Sequence, residues 1–321
     1  MGRYVVRRLL QIIPTLLIVS LVVFTAMQLA PGDPAVMRMG KAAARPENKE
    51  ALERLRREMG LDKPIFVQYV IWLKDAARGD FGVSNRSGVP VIEMITGRLP
   101  ASLELIAVSF LISLLFSIPL GVVAALKQKT AFDSAIMTFA VAGVAIPGFW
   151  LGLTLILVFS VKLGWLPASG YVPLLEDPAE NLRRVLMPAV TLSVYLIATF
   201  TRFLRSDMIE VVNEDYIRTA IAKGLDNRRI VSRHALRNAL IPVVTIIGVE
   251  VGGLVGGVVI VEHVFGWSGI GWLTLQGVYN RDYPLVQGSI VLIAVFYAVA
   301  NFVVDVSYAY LNPRIREQYE A

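Results

Sequence analysis

The chain has 321 residues, of which 55% are apolar and only 17% charged, with a mean hydropathy of +0.61. Soluble domains carry about a quarter charged residues, so this is the composition of an integral membrane protein. The absence of cysteine excludes disulfides, thiolate metal sites and cysteine nucleophiles, and the net charge of +6 reflects Lys and Arg gathered in cytoplasmic loops rather than a nucleic-acid surface.

In chain order, Arg3, Arg7 and Arg8 precede an apolar run over 9–30. The charge pattern is that of a secretory signal, but the run exceeds the ~7–15 apolar residues of a signal core. It also enters Pro31-Gly32-Asp33-Pro34 without a small-x-small cleavage site. We read it as a retained first transmembrane helix. Residues 31–100 form an extracytoplasmic helical region. There Leu52, Leu55 and Met59 share one face of a helix that Gly60 stops. Asp62 is placed to cap a second helix with Pro64 in its first turn, made apolar by Val67, Tyr69, Val70, Ile71 and Leu73.

Five further spans follow, over 101–125, 135–161, 185–206, 239–261 and 285–311, each near the ~20 residues that cross ~30 Å of hydrocarbon. The third contains Pro147-Gly148 and is expected to bend there. With the N-terminus inside, the cytoplasmic pieces hold fifteen Lys and Arg and the two short outer loops four (Lys162, Arg183, Arg184 and Arg281). Both termini are therefore expected in the cytoplasm. The domain reading is 1–30, 31–100, a five-helix core over 101–311 with a cytoplasmic loop at 207–238, and a tail at 312–321.

Residues 215–242, DYIRTAIAKGLDNRRIVSRHALRNALIP, interrupt the apolar pattern. Arg218, Lys223, Arg228, Arg229, Arg233 and Arg237 cannot lie in hydrocarbon, and the regular spacing predicts two short helices joined at Gly224. Asp226 is placed as the N-cap of the second. The basic residues suit lipid phosphates, but the interspersed Glu210, Glu214, Asp215 and Asp226 weaken such a patch. A small apolar face of Ala220, Ile221 and Leu225 suits insertion into a groove of a partner protein, and docking is the reading we favour.

No P-loop pattern occurs, and the glycines of 265–271 do not open a helix in a strand–helix–strand unit. His234 and His263 are assigned to opposite sides of the membrane, so no metal site is expected. In span five, Gly248, Gly252 and Gly256 recur at four-residue spacing, beside Gly253 and Gly257. Such spacing serves close helix packing, with subunit contact or a pathway lining as the functional reading. Glu250 falls near mid-span, where a carboxylate must face the bundle interior, water or a partner. A substrate route and a structural hydrogen bond are both open for it. Asp305 reads as structural, and Glu104 and Glu262 as interfacial, where charge is cheap.

The 215–242 segment resembles the EAA loop of ABC importer permeases, whose general pattern is EAA-x3-G-x9-I-x-L-P. Gly224 matches the family glycine, Ala220 the second alanine and Leu236 the leucine. Arg218 and Thr219 stand where the pattern has Glu-Ala, and His234 and Arg237 replace Ile and Pro. These departures agree with the branch of dipeptide, oligopeptide and nickel permeases, B-type subunit, which reads DY-x-RTA-x-AKGL and then RHALRN-x-LIP. Further resemblances are APGDP at 30–34, GDFGVS at 79–84, IPGFWLG at 146–152, LGWLPASG at 163–170, RDYP at 281–284 and LNPRIR at 311–316.

The resemblance implies an all-α, six-helix type I ABC importer transmembrane subunit in the bacterial inner membrane. It implies a homologous C-type permease, two ATPase subunits that bind ATP and Mg2+, and an extracytoplasmic solute-binding protein as partners. The chain itself would bind no cofactor and catalyse no reaction. Coupling to the ATPase would fall to Asp215, Tyr216, Arg218, Thr219, Ala220, Ala222, Lys223, Gly224, Leu225 and Asp226. Candidates for the pathway or for helix packing are Glu250, Gly248, Gly252, Gly256 and Pro147. Di- and oligopeptides are the expected cargo, with nickel chelate, glutathione or another small solute as the alternative. An ion-coupled secondary transporter using Glu250 and Asp305 is a remote third reading.

Overall fold

The computed structural model describes residues 2–29 and 32–311, so the APGDP and LNPRIR motifs and the 312–321 tail lie wholly or partly outside the described residues. The helices are α1 (Gly2–Leu29), α2 (Pro34–Met39), α3 (Lys49–Glu58), α4 (Ile65–Ala76), α5 (Val91–Leu126), α6 (Ala131–Ala145), α7 (Gly148–Leu155), α8 (Pro178–Val212), α9 (Asp215–Ala222), α10 (Asn227–Arg229), α11 (Leu236–Val264), α12 (Ile270–Tyr279) and α13 (Tyr283–Leu311). Among the described residues the only β-type pairing is the bridge between Val83 and Pro90. Five helices are long and apolar enough to cross a membrane, or six if the bent pair α6–α7 is one span.

The expected bend at Pro147 is a corner. α6 and α7 meet at 101°. Ile146 is extended because the residue before proline is forced out of the helical region, with φ −75° and ψ 122°, and Pro147 follows at φ −62° and ψ 128°. Two consecutive non-helical residues turn the chain where one would only kink it. Other helices outrun their apolar stretches. α5 begins at Val91, ten residues before the expected span, because the polar turn around Thr96–Arg98 hides the helix from a hydropathy reading. α8 starts at Pro178, where the Asp177 carboxylate accepts from the N–H groups of Ala179 and Glu180.

The chain packs as two compact units. Among the described residues the first comprises 2–8, 101–267 and 299–311. α8 is its central helix: 67% of its membrane-length window is buried, against 17–22% for the other spans. Leu192, Leu196 and Phe200 of α8 pack with Leu105 of α5 and with Leu254, Val258 and Val261 of α11. Leu111, Leu115, Phe139 and Val249 stay exposed on the surface of this unit. Arg8 pairs with Asp305 at 3.3 Å, in keeping with a structural role for that aspartate.

The second unit comprises residues 9–100 and 268–298. α3 ends as the sequence predicts. Gly60 takes φ +67°, and the N–H groups of Gly60 and Leu61 reach back to the carbonyls of Arg57 and Arg56. The expectation for Asp62 is corrected: Pro64 itself is the N-cap of α4, with φ −54° and ψ 142°, and no side chain caps the helix. Tyr69 of α4 packs its ring on Phe24 of α1 and on Trp72, with its hydroxyl 2.9 Å from Ser20 Oγ. Two of the resembling motifs meet in this unit. Ser84, which closes GDFGVS, hydrogen-bonds the buried Asp282 of RDYP, and Asn85 N–H donates to the same carboxylate at 3.0 Å.

Candidate functional site

The 215–226 segment is a structured element. α9 buries Ile217 and Ala220 in an apolar cluster with Leu204 and Met208 of α8 and with Ile230, Ala235, Ala239 and Val243. Its end is a full Schellman turn. Gly224 takes φ +76°, its N–H donates to Ile221 O at 2.9 Å, and Leu225 N–H donates to Ala220 O at 3.3 Å. Leu225 then packs on the same cluster. Asp226 caps the next turn by accepting from Arg228 N–H at 3.2 Å, as its position predicted.

Two expectations for this segment change. The second short helix is not separate, because α10 continues through a π-helical stretch (Ile230–Ala235) directly into α11. The apolar face is also divided. Ala220 and Leu225 pack on this subunit's own core while Ile221 is exposed, since the Schellman turn requires Leu225 to fold back over Ala220. The exposed residues of the segment are Asp215, Tyr216, Arg218, Thr219, Ile221, Ala222, Lys223, Gly224 and Asp226. Asp215 and Arg218 pair at 3.3 Å, the Thr219 hydroxyl donates to Asp215 O, and Asn238 Nδ2 donates to the Tyr216 hydroxyl at 2.7 Å. That last bond ties α9 to α11.

α11 also walls a cavity of about 320 Å³ within the first unit. Its other walls are α8 and the α6–α7 corner. Glu250 lines it, and the Tyr195 hydroxyl of α8 donates to Glu250 Oε1 at 3.5 Å. Pro147 does not line the cavity; it makes the corner that brings Ile146, Gly148 and Phe149 into its wall. The glycines divide by role. A Cβ on Gly248 would collide with Val304 of α13, so Gly248 serves close packing, whereas one on Gly257 would sit in ordinary contact with Leu192 at 3.4 Å. A Cβ on Gly256 would meet nothing within 4 Å among the described residues. Gly252 lies outside the residues whose surroundings are described.

Sequence reasoning missed three polar arrangements in the first unit. Arg205 of α8 grips Asp133 of α6 with two guanidinium nitrogens, at 2.5 and 2.7 Å. Asn181 Nδ2 donates to Glu104 at 2.5 Å and to Val172 O at 2.8 Å, and the Tyr171 hydroxyl donates to Glu104 at 3.3 Å. Burial, and then the Glu104 charge, raise the Tyr171 pKa above its ordinary value. Glu262 is a correction, being 0% exposed and accepting from Ser102 Oγ at 2.6 Å. The chain after α11 folds over it, with Trp267 Nε1 donating to Ala101 O at 2.8 Å and the Trp267 ring edge-on to Tyr171. A carboxylate beside an apolar run cannot be told from an interfacial one until that covering loop is known.

A bundle of long apolar helices with an apolar cavity and a separate polar helix–turn element is the architecture of a membrane permease. The chain belongs to the family of binding-protein-dependent transport system inner membrane components, whose profile it matches over residues 117–317. Residues 1–106 match the N-terminal part of such membrane components. It is 41% identical to the oligopeptide transport system permease protein AppB of Bacillus subtilis (strain 168), over 98% of this chain and 99% of that one. The di/tripeptide transport system permease protein DppB of Pseudomonas aeruginosa (strain UCBPP-PA14) and the glutathione transport system permease protein GsiC of Escherichia coli (strain K12) are each 41% identical, with the same coverage. Among solved structures the chain superposes on the MetNI methionine ABC transporter, recorded in inward-facing conformations. The TM-score is 0.56 and the identity 17%, over 68% of this chain and 96% of that one.

The fold is thus that of a type I ABC importer transmembrane subunit, and the chain is a multi-pass permease subunit and not an enzyme. That assignment displaces the ion-coupled secondary transporter.

Proposed function

We propose that this chain forms half of the translocation pathway for di- and oligopeptides in an ATP-driven importer. In this reading it pairs with a homologous C-type permease, receives cargo from an extracytoplasmic solute-binding protein and docks on one of two ATPase subunits, which hold the ATP and Mg2+. It sits in the bacterial inner membrane with both termini and the 207–238 loop cytoplasmic, and the 31–100 region faces the binding protein. The oligopeptide and di/tripeptide permeases among its relatives support peptide as cargo, and the glutathione permease keeps a γ-linked tripeptide as the second reading.

One observation carries the coupling proposal: α11 belongs to both places. Through α10 and the π-helical stretch it receives α9, and through Glu250 it reaches the cavity. A displacement of α9 by an ATPase is thereby conveyed along a helix to the pathway wall. A conformational change is transmitted only where the two states differ in contact energy, and the cluster around Ile217 and Ala220 supplies contacts that a displaced α9 would alter. The test is vanadate-sensitive ATP hydrolysis by the reconstituted importer. Substitution of exposed Arg218 and Lys223 by Glu is expected to reduce cargo-stimulated hydrolysis at least fivefold while the helical content stays unchanged. Unaltered stimulation would refute the role of α9.

A further inference from the structure

We propose that Glu250 and Tyr195 form a transient binding site for the protonated amino terminus of a peptide in transit. The proposal rests on the peptide reading above and adds the chemical group that the pathway recognises. The cavity has the volume of a small-molecule site, at about 320 Å³. Leu192, Leu196, Phe149 and Leu254 make its wall apolar, and among the described residues Glu250 is its only acidic group.

Elsewhere in the same unit Asp133 holds Arg205 and Asp305 holds Arg8, while Glu104 and Glu262 accept hydrogen bonds from neutral side chains of this chain. Among the described residues no Lys, Arg or His lies within ion-pair distance of Glu250. Its one hydrogen-bond partner is the Tyr195 hydroxyl, at the 3.5 Å limit of such a bond. A carboxylate has about four acceptor sites, so most of its capacity faces the cavity unused. Gly253, one turn along α11 with no side chain, leaves Oε2 uncovered, 3.6 Å from where a Cβ would stand.

A primary ammonium is the complement of this arrangement. It brings three donors and a compact positive charge to an ionised carboxylate in an apolar wall, and the Tyr195 oxygen can accept one of those donors. One ion pair holds cargo weakly enough for onward release, as conduction through a multi-site pathway requires. The site would pass free amino termini and disfavour blocked ones.

The test uses the complete importer of both permeases and both ATPases in lipid nanodiscs, without binding protein, because the latter selects cargo on its own account. Equilibrium binding of radiolabelled Ala-Ala is compared with that of N-acetyl-Ala-Ala. Wild type is expected to bind Ala-Ala at least tenfold more tightly. Glu250→Gln should bring the two ligands within twofold of each other, Glu250→Asp should restore part of the preference, and Tyr195→Phe should reduce it about threefold. Equal binding of the two dipeptides by wild type overturns the proposal and needs no variant to fold. It would instead fit a basic residue of the second permease occupying Glu250. Lack of saturable Ala-Ala binding up to about 10 mM overturns it too. ATP-driven Ala-Ala uptake by wild type in proteoliposomes supplied with the binding protein separates the two levels: uptake without discrimination at Glu250 sinks this inference alone, whereas uptake of no peptide sinks the peptide reading.

Discussion

Arg205 of α8 places Nε and Nη2 on the two carboxylate oxygens of Asp133 at the start of α6, and Lys129 N–H donates to that carboxylate at 2.9 Å. The pair fastens the first half of the broken span to the central helix of its unit. Bidentate guanidinium–carboxylate bonds are the strong class of polar contact, and Asp133 is nearly buried at 5% exposure. Asp133→Ala leaves a half-buried guanidinium unpaired and is expected to destabilise the subunit by on the order of 3 kcal/mol. Asp133→Leu with Arg205→Leu should recover most of that loss. Chemical denaturation of the purified protein in detergent, followed by tryptophan fluorescence, measures both.

Gly224 tests the α9 turn with two substitutions of opposite expectation. A Cβ there meets nothing within 4 Å, so any cost arises from the backbone at φ +76° and not from crowding. Asn tolerates the left-handed region and Val does not. Gly224→Asn should keep transport-coupled ATP hydrolysis within twofold of wild type, and Gly224→Val should lower it about tenfold with partial assembly. Equal effects of the two would mean that the turn conformation is not what matters.

Gly248 and Val304 are in direct opposition, so Gly248→Ala is expected to cost about 1–3 kcal/mol by overpacking. Val304→Ala makes the missing room, and the double variant should be more stable than Gly248→Ala alone. A thermal-shift assay of the four proteins completes the cycle.

The second unit carries a pH-dependent contact. Burial would raise the Asp33 pKa, but hydrogen bonds from Arg56 and from Ala35 N–H outweigh it and hold the carboxyl below the ordinary 3.8. A depressed folded pKa gives stability that is fully present above about pH 3.8 and is lost as pH falls through the lower folded value. Protection of α2 and α3 from hydrogen exchange, taken relative to the intrinsic amide rate at each pH, should therefore fall only below pH 3.8 in wild type. Arg56→Ala should already exchange faster at neutral pH, with a weaker acid dependence.

The spans, the corner at Pro147, the Asp226 cap and the Gly60 and Gly224 stops were legible in the sequence, because each depends on local chemistry: apolar length, a proline's effect on its predecessor, a left-handed residue. The partners of Asp133, Glu104 and Glu262 were not. Each lies on an element distant in the sequence, and one sequence holds no signal that joins Asp133 to Arg205, 72 positions away. Tyr195 was missed for the same reason, since a tyrosine in an apolar run reads as packing until Glu250 is seen opposite. The Ala220 face misled because the sequence shows an apolar surface without showing whether its own chain covers it.

The most direct test of the account is uptake of Ala-Ala into proteoliposomes that contain this chain, its permease partner and the ATPase subunits, with the binding protein on the outside and ATP within. An ATP-driven importer accumulates Ala-Ala only when ATP, the ATPases and the binding protein are present together, and continues to do so after collapse of ion gradients. Accumulation driven by a proton or sodium gradient in the absence of ATP would contradict it.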